Sequence, residues 1–307
     1  MKTIRVFAPA TIANLGPGFD VLGLAVAGDG DIVEVRQLDG PDIAIEHISG
    51  DGGQLTLDPT KNTAGVAAAH ALKIIGTDKG VAIKLYKGMP LGSGLGSSAA
   101  SAAAAAWAVA CLGGFQDKEA LLPACLAAEA AVSGYHADNV APSLLGGLIL
   151  ISGYHPLKIR SIPTPPNLFL VLVTPDYEIP TAKARAVVPK VVSLERVIAN
   201  SGQLGEMIAA SYEGDVAAVG RGIVDEIIEP ARAHLIPGFD RVKQASLEAG
   251  AFGCSISGAG PTIFAITDSH EKGDMISRAM RQAFQSASLA SVARVVQVDT
   301  VGARQID

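Results

Sequence analysis

The sequence predicts an α+β protein, and three observations carry that expectation. Alternating apolar and polar positions mark short strands, and apolar runs at helical spacing, closed by glycines, mark helices between them. The last third of the chain reads strand, turn, strand, helix, strand, which is the order of a sheet with helices on one side. At 307 residues there is room for one large domain or two modest ones, and the Pro-rich stretch Ile162-Pro163-Thr164-Pro165-Pro166 is the candidate boundary.

Taken in order, residues 4–8 read as a strand that ends at Pro9, whose ring removes a ladder donor. In 31–37, Ile32, Glu34 and Arg36 alternate with Val33 and Val35, a half-buried strand by period, with Ile43-Ala44-Ile45 as its expected partner. Residues 62–75 read as a helix that begins after Pro59-Thr60 and stops at Gly76. A strand follows at 80–86. Residues 97–112 form a helix of mostly alanine closed by Gly113-Gly114, and 118–131 a second, ended by Gly134. Strands are expected at 148–151, after Gly146-Gly147, and at 168–173. Beyond the boundary, 194–210, 215–228 and 238–249 read as helices, and 252–256 and 261–266 as strands around a glycine turn. In 271–284, Met275, Ile276, Ala279, Met280, Ala283 and Phe284 fall on one helical face, and 292–298 is the expected closing strand.

Composition narrows the function classes. Hydrophobic residues make up 49% and charged residues 18%, the balance of a packed globular chain. The net charge is −6 and no basic block occurs, which argues against nucleic acid or an anionic membrane as partner. An acidic chain that binds a polyanion must supply local positive potential from backbone amides, a few Lys or Arg, or Mg²⁺. Cys111, Cys125 and Cys254 are odd in number, lie among Ala, Leu and Gly, and lack metal or redox spacing; they read as small buried thiols in a reducing compartment. The segment MKTIRVFAPATIANLGPGF has a charge but no continuous apolar run before a cleavage site, unlike a signal peptide, so a cytoplasmic protein is expected. The alanine helix has too few large apolar residues for a membrane span. It reads as a central helix whose small side chains let neighbours pack closely.

The strongest local signal is Pro90-Leu91-Gly92-Ser93-Gly94-Leu95-Gly96-Ser97-Ser98-Ala99-Ala100-Ser101, which follows a strand and opens a helix. Its glycines let the backbone turn sharply and approach a ligand, and the unpaired N–H groups of the first helical turn favour an anion. The Ser97 and Ser98 hydroxyls can bond phosphate oxygens or Mg²⁺. This is a phosphate cradle in physical terms. It is neither a Walker A loop, since no Lys follows Gly96, nor a dinucleotide fingerprint, since the spacing is G-x-G-x-G. The bland alternative is a glycine-rich strand-to-helix turn that binds nothing. A dinucleotide-binding oxidoreductase also fails for want of a βαβ start at the N-terminus.

Pro-x-Gly-x-Gly-Leu-Gly-Ser-Ser-Ala-Ala resembles the phosphate motif of the GHMP kinases. Two further motifs resemble that family, in its order: Ala8-Pro9-Ala10-Thr11-Ile12-Ala13-Asn14-Leu15-Gly16-Pro17-Gly18-Phe19-Asp20 and Ser257-Gly258-Ala259-Gly260-Pro261-Thr262. Together they span nearly the whole chain. The variants Asn14 to Asp20, His136-Ala137-Asp138-Asn139-Val140-Ala141-Pro142, Thr181-Ala182-Lys183-Ala184-Arg185 and Glu229-Pro230-Ala231-Arg232 resemble the branch that acts on L-homoserine.

The resemblance implies two α+β domains with the site between them: residues 1–160, ribosomal-S5-like and holding ATP, and residues 161–307, ferredoxin-like. It implies phosphorylation of the side-chain hydroxyl of L-homoserine in threonine biosynthesis, with ATP as co-substrate and Mg²⁺, in a cytoplasmic homodimer. It places Asn62 at the adenine and Thr181 at the γ-phosphate, and puts Ser257 to Gly260 as a wall near phosphates and substrate. Lys87, just before the loop, is expected to face phosphate. Arg185 and Arg232 can take an α-carboxylate by paired N–H bonds, Asp20 suits the ammonium by charge, and Asn14 and His136 are further polar contacts. Glu129 stands in an otherwise apolar helix, where a carboxylate needs a cation or a hydrogen-bonded partner; by resemblance it holds Mg²⁺ with Ser98. The position where the family can carry a catalytic Asp is matched by Asn139, which cannot take a proton, so positioning replaces base catalysis. Two alternatives stay open: another GHMP kinase with a mevalonate-type or sugar substrate, and a non-catalytic ligand sensor on the same fold.

Overall fold

The computed structural model describes residues 2–132 and 134–307. In chain order the elements are β1 (Thr3–Ala13), β2 (Leu22–Gln37), β3 (Ile43–Ser49), α1 (Thr63–Ile75), β4 (Val81–Tyr86), α2 (Ser97–Leu112), α3 (Leu122–Ala130), α4 (Val140–Leu145), β5 (Leu148–Tyr154) and β6 (Leu157–Ile162). There follow β7 (Phe169–Pro175), α5 (Thr181–Ala186), α6 (Leu194–Glu213), α7 (Val216–Arg221), α8 (Ile228–Arg232), α9 (Phe239–Glu248), β8 (Gly253–Ile256), β9 (Ile263–Thr267), α10 (His270–Ser286), β10 (Ser291–Gln297) and β11 (Arg304–Ile306).

The first sheet has seven strands in the order β11-β1-β2-β4-β3, with β5 joining β2 and carrying β6. Among the described residues only β3 and β4 run parallel in this sheet, and β3 pairs with β4 and not with β2 as expected. β1 runs straight through Pro9, because the register shifts between Pro9 and Ala10, and a bulge tolerates a residue without an N–H. Helix α2 lies across β1 and β2, with α1, α3 and α4 around it. Every residue of α2 from Ala99 to Ala110 is buried, so it has no polar face, and alanine is what lets it be surrounded at close range.

The second sheet has the order β10-β7-β9-β8, entirely antiparallel. Its period-2 alternation separates two cores. Val171, Val173, Ile263 and Ala265 face α9 and α10, meeting Val242, Ile276, Met280 and Phe284. Leu170, Leu172, Phe264 and Ile266 face the other way and join the apolar cluster of the first sheet through Met207, Val216 and Val219. The expected sheet with helices on one side is thus closed on its other face as well, by α7 and the first core. The strand at 292–298 does not close the chain: β11 returns to pair with β1, Arg5 opposite Ile306.

Other expectations shift for local reasons. The helix at 118–131 is shortened to a 3₁₀ turn at Glu119–Leu121 followed by α3, with Pro123 in its first turn. The helix at 215–228 breaks at Gly222, and α8 restarts under an Asp225 carboxylate that accepts the N–H groups of Ile227, Ile228 and Glu229. Cys125 and Cys254 are buried thiols pushed up to about 12 by desolvation, whereas Cys111 is only half-buried, contrary to expectation. No described helix is long and apolar enough to cross a membrane.

The packing around α2 makes a test. Ala104 is fully buried, so Ala104→Leu overpacks the site and lowers stability by about 1–3 kcal/mol. A urea titration should show a lower midpoint at an unchanged m value, and an unchanged midpoint would mean that α2 is not close-packed.

Candidate active site

A cleft of about 480 Å³ opens where the first sheet's loops meet the second domain. One wall is the glycine loop between β4 and α2. Gly96 caps α2 at φ +67° and supplies no side-chain cap to the first-turn N–H groups, and Ser97 and Ser98 of that turn line the cleft. A Cβ on Gly96 would collide with Thr11 Oγ1 and come within 2.8 Å of Asn139 Oδ1. The loop presses that tightly on the first motif. The Ser97 hydroxyl lines the cleft, buried and without a protein partner. Ser98 Oγ donates to Glu129 Oε2 at 3.0 Å, which ties the start of α2 to the end of α3.

The first motif folds as a tight loop. Asn14, Leu15 and Asp20 all take left-handed backbone conformations, at φ +72°, +46° and +59°. Gly18 N donates to the Asn14 carbonyl and Asp20 N to Asn14 Oδ1, so the loop is held by its own polar groups. This presents Asp20 to Arg185, which donates to both carboxylate oxygens at 2.7 Å. His136 Nδ1 lies 3.5 Å from Asp20 Oδ2. Burial holds the imidazole below its ordinary value, only partly offset by Asp20. For Arg185, burial lowers the pKa but is outweighed by the Asp20 carboxylate. Arg232, at 3% exposure, donates to the carbonyls of Ala184 and Gly258, and desolvation brings it down to about 10, so it stays charged at neutral pH. Both guanidinium groups sit about 5 Å from the Phe19 ring, at 5.0 and 5.1 Å.

Asn139 accepts the Thr11 hydroxyl at 2.8 Å through Oδ1, which leaves its N–H groups as the donors the amide can offer. Asn62 is the N-cap of α1, accepting from Ala64 N and donating to the Thr56 carbonyl, and so shapes the far end of the cleft. Thr181 opens α5 and lines the cleft. In the third motif Gly258, Ala259 and Gly260 line it too, and Ser257 Oγ donates to the Gly94 carbonyl at 2.7 Å.

The structure thus brings most of the sequence-predicted residues to one cleft; Asp20 joins it only through its bonds to Arg185, Pro90, Leu95, Ala99 and Ala100 do not line it, and one role is corrected. Lys87 does not offer its ammonium to a phosphate: its three donors go to Asp31, the Ser97 carbonyl and Ser101 Oγ. Two residues escaped sequence reasoning. Thr11 orients Asn139, and only its place in the first motif hints at it. Asp138 is 3% exposed, lines the cleft, and has Oδ1 without a hydrogen-bond partner. Desolvation, with Asp20 adding to it, raises its carboxyl to about 7.

The chain resembles known proteins over nearly its whole length. The GHMP kinases N terminal domain matches residues 62–147, and the GHMP kinases C terminal matches residues 207–286. The chain is 48% identical to homoserine kinase of Arabidopsis thaliana, covering 99% of this chain and 85% of the relative. It is 45% identical to homoserine kinase of Chlorobium phaeobacteroides, covering 92% of each. The crystal structure of homoserine kinase from Cytophaga hutchinsonii superposes with a TM-score of 0.96 at 44% identity, covering 100% of this chain and 98% of that one.

The raised Asp138 gives a signed pH test. Its carboxyl ionises near 3.8 in the unfolded chain and near 7 in the folded one. The unfolded state therefore gains relative to the folded one as pH rises between those values, and the deficit is constant above them. Asp138→Asn does not titrate. The Tm of Asp138→Asn minus that of wild type should rise from about pH 4 to about pH 7 and then level off. A difference that stays flat from acid to neutral pH would mean that Asp138 is not held protonated.

Proposed function

The chain belongs to the GHMP kinase family, in its homoserine kinase branch, and we propose that it transfers the γ-phosphoryl group of ATP to the side-chain hydroxyl of L-homoserine. The observation that carries this reading is that Arg185 and Arg232 line the same cleft as the glycine loop, with Asp20 held against Arg185 by two hydrogen bonds. An amino acid carries an ammonium and a carboxylate on one carbon. Such a zwitterion can replace the Asp20–Arg185 contact by two of its own, the ammonium to Asp20 and the carboxylate to Arg185 and Arg232. Asn14 and His136 complete that end. Asn62 and the residues around it receive the adenine, and the loop from Pro90 to Ala100 receives the phosphates.

The donor set suits Mg²⁺ held mostly by phosphates, since a kinase magnesium site needs only one or two carboxylates. Glu129 and Ser98 would hold it, and the ion would neutralise charge on the phosphates. Thr181 meets the γ-phosphate. Asn139, with Oδ1 fixed by Thr11, donates to the substrate hydroxyl oxygen and sets it in line for transfer. A loose phosphoryl-transfer transition state needs position and charge more than an early deprotonated nucleophile. The hydroxyl proton therefore leaves late, to the transferred phosphoryl group. The reading includes two domains, 1–160 and 161–307 with β11 returned to the first sheet, and a cytoplasmic homodimer; the family resemblance supports both.

A coupled assay of ADP release with homoserine, mevalonate and galactose should show turnover with homoserine alone. Turnover only with another alcohol, or with none, sinks the reading. Asn139→Ala should lower kcat on the order of a hundredfold through lost alignment, with little change in the KM for ATP. Full kcat in that variant would remove the positioning role.

A further inference from the structure

Beneath the glycine loop lies a charged group that the proposed chemistry does not use. Asp31 on β2 and Lys87, just after β4, have side chains exposed by 0% and 1%. Lys87 Nζ contacts the Asp31 carboxylate and donates to the Ser97 carbonyl and to Ser101 Oγ, each at 2.8 Å. Ser101 Oγ lies 2.7 Å from Asp31 Oδ2, and Asp31 Oδ1 accepts the Gly88 N–H at 3.1 Å. An ammonium has three N–H donors, and all of them are taken. The partners come from three places: the middle of the first sheet, the residue that enters the loop, and the first two turns of the helix that leaves it. Replacing a buried ion pair by apolar side chains is often neutral for stability, so stability alone is a weak reason for this one. Its geometry supplies a stronger reason. Each bond joins the entrance of the loop to its exit, or one of these to the Asp31 carboxylate.

We propose that Asp31, Lys87 and Ser101 form a clasp that closes the two ends of the phosphate loop, residues 88–96, onto each other and so sets the positions of the amides that receive the nucleotide. The three are positioning residues and not phosphate ligands. The proposal rests on the reading of this loop as the ATP cradle.

The test is calorimetric binding of Mg-ATP to wild type, Asp31→Asn, Lys87→Met, the double variant and Ser101→Ala, beside the KM for each substrate. Binding reads the clasp whichever alcohol is the acceptor. Wild type that binds ATP but does not phosphorylate homoserine overturns the substrate assignment alone. The clasp requires each single variant to bind ATP on the order of tenfold more weakly, with the KM for homoserine changed by less than about twofold. It also requires the double variant to be no worse than the worse single, because the groups act as one unit. Lys87→Met weakened while Asp31→Asn binds like wild type would make Lys87 a direct ligand and overturn the clasp, as would additive losses. Ser101→Ala removes one hydroxyl from an alanine-rich helix and keeps both charges. If the charge variants do not fold, Ser101→Ala decides alone: weaker ATP binding supports the clasp, and wild-type binding overturns it.

Discussion

Gly258 offers one carbonyl oxygen to two donors from distant parts of the chain, Asn14 Nδ2 at 3.1 Å and Arg232 Nη1 at 2.8 Å. The neighbouring Ser257 hydroxyl reaches the Gly94 carbonyl, and Gly258 N reaches the Ala13 carbonyl. These bonds stitch together the first motif, the glycine loop and the third motif. Each segment is rich in glycine and has few side chains with which to hold itself in place. They hold one another instead. Gly94 shows how close the fit is: at φ +82°, a Cβ there would stand 2.5 Å from the Ser257 carbonyl oxygen. The proposed ATP and homoserine ends therefore share a wall made of both domains, and a shift of the third motif would be felt at both.

The alanine helix makes that junction possible. Its N-terminus must reach the loop while its body passes under β1 and β2 and between α1, α3 and α4. Large side chains would force those neighbours apart and move the loop's exit away from Asn14. The continuity of the apolar core, from Leu24 and Ala104 through Val219 to Phe264 and Ile266, then carries the second sheet on the same support.

What could be read from the chain beforehand was what local chemistry marks. Helix α2 begins at Gly96 and stops at Gly113, and α1 is framed by the Asn62 cap and by Gly76 at φ +70°, because caps and left-handed glycines announce themselves in sequence. The motif residues at 14, 20, 98, 129, 139, 185 and 232 were legible through pattern and family likeness. What stayed hidden depends on long-range pairing. Pro9 marks a bulge and not a strand end because Gly30 lies across from it. The apolar period of 215–228 concealed the Asp225 cap that splits it. Lys87 carries a charge in a suggestive place, but its partner Asp31 stands 56 residues away. Asp138 is unremarkable beside Asn139 until depth of burial gives its carboxyl an unusual proton affinity.

The Asp20–Arg185 contact has a consequence for selectivity. Within the proposed site it works as a toll set in both signs at once. A hydroxy acid lacking the amine could court Arg185, but it would strand Asp20 half-buried against Asp138; an amino alcohol lacking the carboxylate would strand Arg185 beside Arg232. Either visitor exchanges a two-bond ionic contact for one bond and an isolated charge, which is unfavourable in a desolvated cleft. Discrimination against such fragments thus resides in the resting protein, in a bond that the right guest breaks and replaces twice over.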